Sequence, residues 1–173
     1  MRITWFGGSA FRLYVGGSIV VTDPDAAPVS VDRAELVAAA DHTLAASGIG
    51  LPLLDAAWRP QRRRREIDEP AIQQGLRVFS LDGGGLLLDA PEDSPLIVAS
   101  ATAVWDRFAD NVVAVLHGPA DGLPNAVQRL CTAARPRLIA LAAAPSERDF
   151  AAIAATDHDM PLQVLEVGLA LEA

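Results

Sequence analysis

Three β-rich runs crowd into the first 25 residues with no room for a helix between them, and this excludes more folds than any other feature of the chain. Ile3 and Trp5 belong to the first run, Phe11, Leu13 and Val15 to the second, and Ile19, Val20 and Val21 to the third. Alternation at period two, carried by β-branched and aromatic side chains, marks half-buried strands. Gly7-Gly8 and Gly16-Gly17 supply turns between the runs. Thr22-Asp23-Pro24 closes the third, because proline cannot extend a hydrogen-bonded ladder. Strands joined by such short turns pair antiparallel. The chain therefore opens as a meander and not as a dinucleotide-binding βαβ unit.

Beyond the meander, strands and helices alternate. Val31 to Ala40 has the spacing of a short helix, with Ser30 or Asp32 as its cap. His42 to Ala46 reads as a strand and Leu51 to Trp58 as the next helix. Residues 60–70, PQRRRREIDEP, form a polar, proline-bounded excursion. Leu76 to Leu81 and Leu86 to Asp89 read as strands around a turn at Asp82 to Gly85, and Leu96 to Ser100 as a third. Ala103 to Ala109 is expected as a short helix, Val112 to Leu116 as a buried strand, and Ala126 to Ala134 as a helix. Arg137 to Ala142 is a second buried strand, Ser146 to Ala155 a helix capped by Ser146, and Gln163 to Leu171 the closing strand. Each half runs from strands into strand–helix alternation, an order that suggests two sheets face to face with helices outside.

The length of 173 residues suits one domain, spanning 1–173, and a hydrophobic fraction of 51% can fill its core. Acidic groups outnumber basic ones by 22 to 14, a formal net charge of -8, which argues against nucleic acid or an anionic membrane as partner. All the basic side chains are Arg, and with abundant Ala this points to a GC-rich bacterial coding bias. The lone Cys131 rules out an internal disulfide and fits a reducing compartment. The opening residues lack a signal-peptide-like apolar stretch, and no run approaches the ~20 residues that cross a bilayer. A cytoplasmic location is expected.

Residues 42–57, HTLAASGIGLPLLDAA, have the form of a strand, a glycine loop and a helix, a common platform for α/β chemistry. Yet no ionisable side chain lies between His42 and Asp55. The opening MRITWFGGSAFRLYVGGSIVVTDP offers an explanation. Its Trp5, Gly7, Ser9, Phe11 and Asp23-Pro24 resemble the start of metallo-β-lactamase-fold hydrolases, in the branch of small metal-dependent hydrolases related to ascorbate-6-phosphate lactonase. LIVASAT, RFADNVVAVLHG, ARPRLIALAAAP and VLEVGLALE resemble later strands of that family in outline.

The resemblance implies a reduced α/β sandwich of αββα type, with two mixed sheets and a two-metal site on loops at the strand ends. Imidazole and carboxylate ligands there suit zinc or manganese, which turn bound water into hydroxide near neutral pH. Gly8 stands where the family has a histidine. The family's His-x-His-x-Asp-His motif falls on Ser47, Ile49, Leu51 and Pro52. Its Gly-Asp-Thr falls on Ser100, Ala101 and Thr102, and its last histidine on Ala142 or Ala143. The chain thus resembles a degenerate member, with small or apolar residues at the ligand positions.

His42, His117 and His158 remain, with Asp23 and Asp25, and their spacing matches no ligand motif. His117, followed by the loop GPADG at a strand end, is the one expected to line a pocket. Asp23 and Asp25 read as a turn that bonds its own backbone. Cys131 reads as a small core residue. Ser47-Gly48-Ile49-Gly50 offers amides to a phosphate but lacks the third glycine of a dinucleotide fingerprint and a Walker lysine. Arg62 to Arg65 are followed at once by Glu66, Asp68 and Glu69, so this patch is largely neutralised.

The expectation is a non-catalytic module for interaction or small-ligand binding, with no cofactor and with a second copy or another protein as partner. The alternative is an ester, lactone or phosphoester hydrolase with zinc or manganese at a relocated site.

Overall fold

The structure is a computed structural model and describes residues 1–61, 75–91, 93–144, 146–155 and 159–173. Among these residues, eleven strands form two mixed sheets. The first sheet is built on the meander β1 (Arg2–Gly7), β2 (Ala10–Val15) and β3 (Ser18–Thr22), paired antiparallel. β4 (His42–Leu44) adds parallel to β3, and β11 (Ala170–Glu172) antiparallel to β1. In the second sheet β7 (Leu96–Ser100), β8 (Val113–His117), β9 (Leu138–Ala142) and β10 (Leu162–Val164) run parallel. The hairpin β5 (Arg77–Ser80) and β6 (Gly85–Asp89) completes it, antiparallel to β7.

The two-residue period of each strand sorts side chains into layers. Ile3, Phe11, Leu13 and Val20 of the first sheet meet Leu86, Leu88, Val98, Val113 and Val115 of the second, forming the core between the sheets. Their neighbours Leu87, Ala99, Ala114 and Leu116 point the other way, onto helix α2 (Leu123–Ala133) and Ile153 of helix α3 (Glu147–Ala154). Ala10 and Val21 face outward from the first sheet onto Leu36 of the short helix α1 (Arg33–Val37). The molecule is thus an α/β sandwich of four layers, helix–sheet–sheet–helix, as the order of elements suggested.

Local chemistry sets the helices. Asp32, not Ser30, caps α1 by accepting from the amides of Ala34 and Glu35. Arg12 reaches from β2 to the carbonyls of Leu36 and Ala38, which ties the helix end to the sheet. Ser146 and Asp149 form a reciprocal capping box at the start of α3. α2 begins at Leu123, three residues before the expected start, because Pro124 sits in the first turn where its missing N–H costs nothing.

Three expected elements differ. Leu51 to Trp58 is not a helix: the Leu54 amide donates to Ser80 O and the Ser80 amide to Pro52 O, both at 2.9 Å, so the segment runs extended beside β5. Pro52 also opposes continued helical bonding. Ala103 to Ala109 yields only a 3₁₀ turn at Arg107–Ala109. Gln163 to Leu171 is two strands in different sheets, β10 and β11, and the chain crosses between them through Gly168 at φ 80. The polar excursion falls mostly on residues 62–74, outside the described residues.

Candidate functional site

The carboxyl ends of parallel strands in an α/β sheet are where crevices form, and here both sheets bring such ends to one place. A pocket of about 360 Å³ opens there. Asp23 follows β3, Ala46 and Ser47 follow β4, Ser100 ends β7 and His117 ends β8. Ser9 comes from the β1–β2 turn, and Gly83 and Gly84 from the β5–β6 turn.

Each wall is fixed by identifiable bonds. Thr22, fully buried, accepts from the Phe11 amide at 3.2 Å and donates to Ser9 O at 2.7 Å, which holds Ser9 at the rim. Gly48 sits at φ +77, and a Cβ there would lie 2.7 Å from Gly85 O and 2.6 Å from the Ser80 Cβ. The glycine loop thus serves a close approach between the two sheets, a role no other residue fills. Across it, the hydroxyls of Ser100 and Thr102 lie 2.7 Å apart, and Thr102 Oγ1 donates to Gly83 O at 2.9 Å. These hydroxyls fasten the SAT segment to the glycine turn.

His117 packs its imidazole edge-on against Phe11, with ring centroids 5.8 Å apart. Its Nε2 is buried and has no hydrogen-bond partner among the described residues. Burial pushes the ring below its ordinary pKa of 6.5, while the charge of Asp23 pulls it back up. The unfolded chain therefore binds this proton near 6.5 and the folded chain only at lower pH. Below 6.5 the unfolded state holds more protons, so stability falls as pH drops, until the folded pKa is reached. Thermal melts between about pH 8 and pH 5 are expected to show this slope, and His117→Gln to lose part of it. Equal slopes in the two proteins would remove His117 as the source.

Asp23, Ser47 and His117, singled out in the sequence, come together in this pocket. Ser9, Ala46, Gly83, Gly84 and Ser100 complete it. The other candidates lie elsewhere. Gly8 is in the adjoining turn, its carbonyl accepting from the Trp5 indole at 3.1 Å. Ile49 is 82% exposed, Pro52 is exposed, and Leu51 packs against the inter-sheet core. Ala101 and Ala143 pack on the helix side of the second sheet, whereas Ala142 faces the core between sheets, as strand alternation requires. His42 is exposed on the edge strand β4, and Asp25 pairs with Arg33 at 3.4 Å. His158 and Arg62 to Arg65 lie outside the described residues. Cys131 is buried on α2, and burial raises its thiol pKa although Arg135 lowers it, so it is a poor nucleophile.

The lining holds two ionisable groups, Asp23 and His117, among serines, glycines and an alanine. Among the described residues no three His, Cys, Asp or Glu side chains converge on a point that would hold a metal ion. A two-metal centre needs several imidazole and carboxylate ligands, and these residues do not fit it. No hydroxyl bonds to His117 Nε2, so the nucleophile–base contact of a serine hydrolase is likewise missing there. The arrangement offers hydrogen bonds and one negative charge inside a shaped cavity.

No protein-family model matches the chain, and no curated protein matches it. Among solved structures it is similar to a Thermotoga maritima protein described as a candidate Zn-dependent hydrolase of the metallo-β-lactamase superfamily. The two share 12% identity at a TM-score of 0.43, over 96% of this chain and 98% of that one. A likeness this slight does not place the chain in that family. No helix among the described residues is long and apolar enough to cross a membrane.

Proposed function

We propose that this protein is a non-catalytic module that binds a small ligand in the pocket between its sheets, on a degenerate metallo-β-lactamase-like frame. The pocket itself carries the reading: its walls offer hydroxyls, amides and one carboxylate where metal hydrolysis would need a ligand cluster. The ancestry is supported by the N-terminal pattern of Trp5, Gly7, Ser9, Phe11 and Asp23-Pro24 and by the helix–sheet–sheet–helix layering. Ile49 and Leu53, 82% and 64% exposed beside the glycine loop, are the side chains through which a second copy would dock in the interaction form of this reading.

Metal analysis of the purified protein after dialysis tests it. Metal far below one equivalent per chain is the expected result, with no hydrolysis of ester, lactone or phosphoester substrates on adding zinc or manganese. Stoichiometric retained metal together with turnover would overturn the reading and restore the hydrolase with a relocated site.

A further inference from the structure

The charge balance of the pocket defines what it holds, given the ligand-binding reading above. Asp23 adopts left-handed backbone, φ 35 and ψ 59, which non-glycine residues seldom hold without compensation. Two bonds pin it: its amide donates to Leu44 O at 3.1 Å, and its carbonyl accepts from the Ala26 amide at 2.8 Å. These bonds fix the main chain at a residue that lines the pocket. Yet the carboxylate caps no helix and has no hydrogen-bond or ion-pair partner among the described residues. Its neighbour Asp25 pairs with Arg33 at 3.4 Å, whereas Asp23 has no such cation among those residues.

His117, which lines the same pocket, keeps a buried Nε2 with no partner among the described residues. The two groups line the same pocket and interact through space, and no ion pair joins them. Among the described residues the rest of the lining is neutral and includes no arginine, and the chain as a whole carries a formal -8. We propose that the pocket binds a small cationic amine, with its ammonium on the Asp23 carboxylate and its carbon body against the glycine turn. An ammonium N–H supplies the charge-assisted bond the carboxylate lacks. The serine hydroxyls accept its remaining N–H donors. An anion would meet Asp23 with no compensating cation, and a neutral ligand would cover the carboxylate and leave it unpaired, which is costly.

Three probes of one shape and different charge separate these cases: benzylamine, benzyl alcohol and benzoate. Amide ¹H–¹⁵N spectra report on Ser47, Gly83 and Gly84 as each probe is added. Benzylamine is expected to shift these amides saturably, and Asp23→Asn to weaken it on the order of tenfold to a hundredfold, the loss of one hydrogen bond to a charged group. Asparagine tolerates left-handed backbone, so this variant keeps the loop, and an unchanged melting temperature confirms that. Benzyl alcohol or benzoate shifting the same amides as strongly, with Asp23→Asn indifferent, overturns the amine proposal and leaves the ligand-binding reading in place. No shift from any of the three at millimolar concentration overturns both.

Discussion

Phe11→Ala is expected to destabilise the fold by about 3–5 kcal/mol, the usual cost of emptying a buried phenylalanine site. Phe11 is fully buried and lies in the middle of the meander, where its ring spans the gap between the two sheets. No helix covers this interface, so its cohesion comes from apolar side chains of both sheets, and removing the largest fully buried one leaves a cavity that a sheet pair cannot collapse into. Native domains are stable by only about 5–15 kcal/mol, so a single substitution would consume much of the total. The same ring is the edge-on neighbour of His117, at 5.8 Å. Truncation should therefore also let water reach the imidazole and return its pKa toward the ordinary value. Urea unfolding reads the first effect as a lower midpoint at unchanged slope. NMR titration of the imidazole reads the second. A loss under about 1 kcal/mol would mean that the sheets close over the gap, while Phe11→Leu, which keeps most of the volume, should cost far less.

The meander, the buried parallel strands and the layering were legible because each rests on a local period. Gly7-Gly8, Gly16-Gly17 and Asp23-Pro24 punctuate runs whose alternation the structure uses directly, and Leu96 to Ser100 matches its strand end to end. What failed depended on partners distant in sequence. The extended course of residues 51–54 is set by Ser80, almost thirty residues on, and only Pro52 hinted at it locally. The break between β10 and β11 was hidden because Val167, Leu169 and Leu171 continue the alternation across it, and only Gly168 marks the crossing.

Asp23, Ser47 and His117 could be found as polar residues at strand ends. Ser9, Ala46, Gly83, Gly84 and Ser100 carry no chemical signature in a sequence and enter the pocket through topology alone. Gly48 is the instructive case. Its glycine loop looks in the sequence like a bare platform for chemistry, but its absent side chain is what lets the loop rest on Gly85.

Asp89→Ala is expected to cost about 3 kcal/mol, at the low end for breaking a buried charge pair. Asp89 is the one fully buried acidic residue among the described residues, on β6, and its carboxylate accepts from the Gln61 amide at 3.1 and 3.3 Å and from Arg77. Gln61 returns the contact through its side chain, donating to Asp89 O at 2.7 Å and to Gly75 O at 3.2 Å. Arg77 is 43% exposed against 1% for Asp89, so the two partners are not equivalent. Removing the carboxylate lets the guanidinium rehydrate, which limits the loss. Removing the guanidinium by Arg77→Ala instead leaves a buried carboxylate held by the Gln61 amide, with no cation beside it among the described residues. The site also clasps residues 61 and 75, so Asp89→Ala should abolish hydrogen-exchange protection of the Gln61 amide even where the rest of β6 stays protected. A double-mutant cycle isolates the pair itself. A coupling near zero, with Gln61 still protected, would show that packing of β5 against β6 holds this edge and that the carboxylate is merely accommodated there.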